Sequence, residues 1–224
     1  MPVDIGSWRQ YKNKLWARLW EDLEIGYLDE DILPVLIELF LRPLSFSISS
    51  CSGRITLSDS TMPWAREETS VIFKKHKPVR LDEILEIYDK PVVRNLWLVV
   101  AGPILHVSSA TLREALTVLN IARSSGFKHS GILSFSTKKG IITELRTGIR
   151  LTQLLKTPDK TIVPKECLDK LIEQANMMLI EGKRKLDKLL QELRRNRPQE
   201  LDEHIILDLR KRFSYEKAKK VFGI

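Results

Sequence analysis

The longest apolar run of the chain, residues 96–105, sets the strongest limit on what it can fold into. Gly102-Pro103 breaks it, so it is too short to cross a bilayer as a helix. Extended chain in a sheet interior is the alternative. Residues 95–101 (NLWLVVA) read as a central strand covered on both faces, and residues 104–108 resume as extended chain. Helical and extended apolar patterns both occur along the rest of the chain, which predicts an α/β protein. With 224 residues, 43% of them hydrophobic, it can bury one large domain, or one core with a helical appendage. We expect a single mixed-sheet α/β domain over residues 1–163 and C-terminal helices over 164–224, the first packed on the core and the last a basic arm.

Leu15, Leu19 and Leu23 recur at helical spacing beside Trp8, Trp16 and Trp20, giving a helix over residues 8–24 whose stripe is core or, less simply, an aromatic platform for bases. Gly26 stops it. Asp29 sits where an N-cap belongs for a second helix over residues 30–40, with Pro34 tolerable near its start. Strands are expected over 45–49, 55–57 and 71–77, with a polar loop over 58–69 and a short helix over 81–88. Residues 111–125 form an amphipathic helix with Leu112, Ala115, Leu116, Leu119 and Ala122 on one face, ended by Gly126. A hairpin spans 130–136 and 141–146. From Pro164 onward the leucine spacing gives a helix of some thirty residues, and another covers 200–222.

The net charge of +8 points to an anionic partner, with nucleic acid the expected one. Lys74, Lys75, His76, Lys77 and Arg80 are a solvated strand edge or a phosphate-contacting patch. From Lys183 on there are thirteen basic against seven acidic residues, a wet helical face or a tRNA-contacting surface. Two cysteines far apart and no secretory leader predict a reducing cytoplasm. No two of the ten glycines stand two apart, which removes the dinucleotide fingerprint and the glycine loop of common methyltransferases. His76, His106, His129 and His204 are scattered, with no cysteine at a ligand spacing, so no metal is expected.

Residues 45–54 read SFSISSCSGR. Phe46 and Ile48 alternate with serines as a half-buried strand would place them, and Ser50-Cys51-Ser52-Gly53 is a cluster of turn formers. On its own this is either a polar turn between strands or a ligand site, with Arg54 supplying a forked cation. Cys51 is a small packing group or a nucleophile activated by His106.

Ser47-Ile48-Ser49-Ser50-Cys51-Ser52-Gly53-Arg54 resembles the (S/T)-x-S-S-C-x-G-R signature of the wybutosine-synthesising tRNA N4-methyltransferases of archaea and eukaryotes. Leu28-Asp29-Glu30 is similar to that family's acidic position, and Gly102-Pro103-Ile104-Leu105-His106-Val107 to its histidine segment. Residues 122–132 and Ala175-Asn176 also match, so that the likeness covers roughly residues 8–182. It implies an α/β fold distinct from the Rossmann-like methyltransferases. It implies S-adenosylmethionine as methyl donor, and as substrate the modified guanosine at position 37 in the anticodon loop of tRNA(Phe). It implies transfer of the methyl to N4 of 7-aminocarboxypropyl-demethylwyosine.

On that resemblance His106 is the general base, and Asp29 binds cofactor or orients the base; otherwise they are a core histidine and an N-cap. Ser47, Ser49, Ser50, Cys51, Gly53 and Arg54 form the cofactor-binding set, with Arg54 pairing a carboxylate or an RNA phosphate. Trp64 and Trp97 are stacking candidates, Trp97 more simply core. The competing class is a non-catalytic RNA-binding protein using the serine turn as a phosphate nest. Asp29, His106 and Arg54 are expected in one cleft.

Overall fold

The computed structural model describes residues 2–213. In chain order the elements are α1 (Ile5–Glu24), α2 (Leu33–Leu41), β1 (Ser45–Cys51), β2 (Arg54–Ser60), β3 (Ser70–Lys75), α3 (Leu81–Tyr88), β4 (Asn95–Ala101), β5 (Ile104–Ser109), α4 (Leu112–Ser124), β6 (Gly131–Ser136), β7 (Gly140–Arg146), β8 (Arg150–Lys156), α5 (Leu168–Arg195) and α6 (Glu203–Arg212). The strands form two four-stranded sheets, β1-β5-β7-β6 and β3-β2-β4-β8. Every pairing among the described strands is antiparallel. This corrects the expected single mixed sheet. β1 and β2 flank the turn formers as anticipated, yet β1 pairs with β5 while β2 pairs with β3 and β4.

The chain divides into two compact units: unit 1 holds the residues up to Cys51, Ile104–Thr147 and those from Lys185 on, and unit 2 holds Ser52–Pro103 and Gly148–Arg184. Both units therefore draw on the expected core stretch and on the C-terminal stretch. No helix among the described residues is long and apolar enough to cross a membrane.

In unit 1, α1 starts earlier than its leucines suggest because Asp4 caps it, accepting from the Gly6 and Ser7 amides at 3.1 and 3.3 Å. Trp8, Lys12, Trp16 and Leu19 follow at helical spacing and are buried. The core is aromatic: Trp8 and Tyr11 meet Phe46 at 5.0 and 5.6 Å between ring centres, and Trp16 meets Phe40 at 5.2 Å. In α2 every residue from Val35 to Leu41 is buried, Glu38 included. On α4 the buried face is Ala115, Val118, Leu119, Ile121 and Ala122, whereas Leu112 and Leu116 are exposed. The face is turned from the expected one because valine and isoleucine, not two of the leucines, meet the sheet. Beyond the long helix, α6 runs Glu203–Arg212 between its N-cap Asp202 and its C-cap Phe213; of the expected 200–222 helix, residues 200–202 are not helical and 214–222 lie outside the described residues.

In unit 2, β4 is central, but its burial alternates: Leu96, Leu98 and Val100 are fully buried, and the residues between them are partly exposed. β2 runs on through Ser60 into the expected polar loop. Its Asp59 carboxylate accepts from the Val93 and Arg94 amides at 2.7 and 2.8 Å, so a polar residue is satisfied inside a strand. Asn176 of α5 both accepts from the Val79 amide and donates to the Val79 carbonyl, each at 2.8 Å, fixing the segment between β3 and α3.

Candidate active site

The signature is shared between the two units, Ser47–Cys51 in unit 1 and Ser52-Gly53-Arg54 in unit 2, and each part has its own surroundings. In unit 1, β1 is an edge strand. A cleft of about 250 Å³ is lined by Ser47, Ser49 and Ser50 of this strand and by Arg18, Asp22 and Tyr27 from α1 and the turn that follows it. Gly26 makes that turn possible. Its φ of +71° turns the chain after α1, and the amides of Tyr27 and Leu28 then both donate to the Asp22 carbonyl. Arg18 pairs with Asp22 at 3.4 Å, and Tyr27 is 73% exposed.

Ser49 Oγ and His106 Nδ1 are 2.9 Å apart, and His106 Nε2 lies 3.3 Å from Glu144 Oε2. Two stretches that sequence reading singled out separately are thus in direct hydrogen-bond contact. Ser47 points inward, is nearly buried, and donates to the Ser49 carbonyl at 3.4 Å. Asp29 stands at the N-cap position of a short 3-10 turn (Glu30–Ile32), but its side chain makes no capping bond there. Its carboxylate instead comes within 4.8 Å of the Cys51 sulfur. The acidic position therefore belongs beside the signature rather than to helix capping.

In unit 2, Ser52 and Gly53 are buried and Arg54 is exposed at the start of β2. Gly53 has φ +98°, and a Cβ there would lie 3.1 Å from the Ala101 carbonyl oxygen, so both backbone freedom and close approach demand glycine. His76 Nδ1 is 2.9 Å from the Gly53 carbonyl, and Lys183 Nζ donates to Ser52 Oγ at 2.6 Å. The oxygen can only accept, so Nδ1 carries the ring proton. The basic strand end and the basic helix thus each supply one cation-forming group to the signature.

Sequence reading did not single out Glu144, Arg18 or Tyr27. Glu144 alternates with Thr143 and Leu145 like any outward strand residue, and only the pairing of β7 with β5 gives it a partner. Tyr27, an aromatic residue just past a helix-stopping glycine, was the one legible signal among the three. Trp97 is partly buried and donates its indole N–H to the Ser60 carbonyl at 3.1 Å, a structural tie, while Trp64 is 70% exposed.

The family model described as Methyltransferase TYW3 matches residues 10–195. The chain belongs to the TYW3 methyltransferase family. That membership replaces the alternative of a non-catalytic RNA-binding module. Among its TYW3 relatives, the tRNA(Phe) 7-((3-amino-3-carboxypropyl)-4-demethylwyosine(37)-N(4))-methyltransferase of Saccharolobus solfataricus is 41% identical over 183 residues, covering 81% of this chain and 87% of the relative. The corresponding Pyrococcus abyssi methyltransferase 1 is 40% identical over 164 residues, covering 73% and 84%. The solved structure of the PH1069 protein from Pyrococcus horikoshii superposes with a TM-score of 0.78 at 35% identity, over 84% of this chain and 96% of that one. A hypothetical protein from Aeropyrum pernix gives 0.68 at 33% identity, over 75% and 98%.

Proposed function

We infer that this TYW3 protein is a tRNA methyltransferase that moves a methyl group from S-adenosylmethionine to N4 of 7-(3-amino-3-carboxypropyl)-4-demethylwyosine, at position 37 of tRNA(Phe). The observation that carries the reading is the 2.9 Å contact between the signature serine Ser49 and the histidine-segment residue His106. Relatives at 41% and 40% identity bear this activity in their names, which supports the same substrate here.

The side chains present fit the methyl donor. Hydroxyls of Ser47 and Ser50 and the amides of an edge strand suit an α-amino-carboxylate end; Arg54, exposed in unit 2, is by itself a cation suited to a carboxylate or an RNA phosphate. Cys51, beside Asp29, serves as a packing group or weak acceptor, since no covalent intermediate is needed. The lack of a G-x-G loop, together with the antiparallel ladders of the described strands, supports a donor site unlike that of parallel-sheet methyltransferases.

When bound, the donor supplies an electrophilic methyl carbon on a sulfonium. The chain's own contribution is to hold the accepting nitrogen in line and to remove its proton. His106 takes that proton in this reading, and Asp29 orients the donor or the base. Position 37 lies in a single-stranded loop, so the base can enter a pocket without opening a duplex.

Mass spectrometry of tRNA(Phe) from a strain lacking the gene tests the assignment. One methyl on the tricyclic base should disappear, return with the wild-type gene, and stay absent with His106→Ala. A base still fully methylated in the deletion strain rejects the reading. Calorimetry with S-adenosylmethionine should show binding that Arg54→Ala weakens.

A further inference from the structure

We propose that Ser49 is the group that touches the accepting nitrogen, and that Glu144 sets the His106 ring so that Ser49 can pass the proton inward. This rests on the methyltransferase reading above and assigns the proton's path within it. Ser49 on β1, His106 on β5 and Glu144 on β7 are register partners, so their side chains form a row on one face of the sheet. The row exists because of a register shift. Ser47 pairs with Val107, and unbroken pairing would set Ile48 against His106; the bulge between Ser47 and Ser49 sets Ser49 there instead.

A carboxylate can only accept, so the ring nitrogen facing Glu144, Nε2, carries the proton. In the neutral ring Nδ1 is then the acceptor, and Ser49 donates its hydroxyl proton to it at 2.9 Å. With that proton committed inward, the Ser49 oxygen has lone pairs left for the cleft that it lines. Ser49 is exposed on the edge strand, whereas His106 lies one strand further in with its side chain 30% exposed. An N–H entering the cleft meets the Ser49 oxygen first.

The step balances. The nitrogen lone pair forms the bond to the methyl carbon, the electron pair of the broken S–C bond staying on sulfur. The nitrogen's proton goes to Ser49 Oγ while the Ser49 proton goes to His106 Nδ1. Glu144 faces the resulting imidazolium, and loss of one ring proton to water resets the trio. In this scheme Ser49 is catalytic, His106 is the terminal acceptor, and Glu144 is a positioning residue.

Three variants of the full chain, assayed with S-adenosylmethionine and tRNA(Phe) carrying the demethylated base, test the relay. Ser49→Ala should lower kcat by about 100-fold or more and leave KM for tRNA nearly unchanged, because the side chain is small and exposed. Ser49→Thr, which keeps the hydroxyl, should recover most of the loss. Glu144→Gln should lower kcat rather than raise KM. Nitrogen-15 NMR of the unliganded protein supplies a readout apart from turnover: His106 should carry its proton on Nε2, and Glu144→Gln, which can donate or accept, should mix the tautomers. A kcat for Ser49→Ala within about threefold of wild type overturns the serine's role, and a wild-type proton on Nδ1 overturns that of Glu144. Failure of the wild-type protein itself to methylate this tRNA would instead fell the functional reading, with the NMR result still deciding on Glu144.

Discussion

Lys12 shares the buried face of α1 with Trp8 and Trp16 and is only 1% exposed. Its Nζ donates to the Arg42 carbonyl and to Asp202 Oδ2, both at 2.7 Å. Burial pushes its pKa below the ordinary lysine value, against the pull of Asp202. The depressed value fixes the sign of a pH effect. Below the folded pKa both states are charged and the full burial penalty applies. Between the folded pKa and the unfolded value of about 10.4 the unfolded chain binds more protons, so stability rises with pH. Urea unfolding from pH 7 to pH 10 should therefore show the wild type gaining on Lys12→Met as pH rises; a constant difference would contradict it. Glu38 presents the opposite case, a carboxylate 1% exposed that accepts from Arg194 at 3.0 Å and from Arg197 at 2.7 and 2.8 Å. Removing it takes from two arginines the buried carboxylate they share and leaves a cavity among the buried side chains of α2. Glu38→Ala should cost about 3 kcal/mol, read from the denaturation midpoint at unchanged m-value.

At the scale of elements, close approaches rather than propensity set the tolerances. Gly140 opens β7 with φ +79°, and a Cβ there would lie 2.6 Å from the Ser109 carbonyl oxygen and 2.8 Å from Trp8 Nε1. That indole donates to Ser108 Oγ at 2.8 Å, and Ser108 Oγ donates in turn to the Lys139 carbonyl at 2.5 Å, so the start of α1, β5 and the turn before β7 are locked together. Gly140→Ala should destabilise the fold by about 2 kcal/mol and perturb the Trp8 fluorescence. Gly182 lies within α5, where alanine would ordinarily help by about 1 kcal/mol. Its Cβ would stand 2.8 Å from Pro103 Cδ, so Gly182→Ala should instead lower the melting temperature. Helix α3 occupies the residues its spacing predicts, and α4 has the N-cap Thr111 and the glycine stop that the sequence displays. The faces were harder to read. Leu112 and Leu116 fit the apolar stripe of α4, but in a helix rich in aliphatic residues two adjacent stripes compete, and the sheet contact decides between them.

For the molecule as a whole, the net charge of +8 makes tRNA binding salt-dependent in the proposed function. Affinity should fall linearly with salt on logarithmic axes, and Arg54→Ala should reduce that slope by about 1 if it meets a phosphate. An unchanged slope with weakened S-adenosylmethionine binding would assign it to the donor's carboxylate. The sequence by itself determined the local events: which stretches are helical or extended, where glycines turn the chain, and that Ser47–Arg54, Asp29 and His106 resemble the motifs of one family. Those follow from periodicity, backbone freedom and motif, all written within a few residues of each other. Only the tertiary structure decided that the strands divide between two antiparallel sheets, that a bulge sets Ser49 against His106, and that Glu144 stands behind the ring. Alternation along a strand says which side chains share a face; it does not say which distant strand supplies the neighbour, because that choice is made by pairing energies summed over the whole fold.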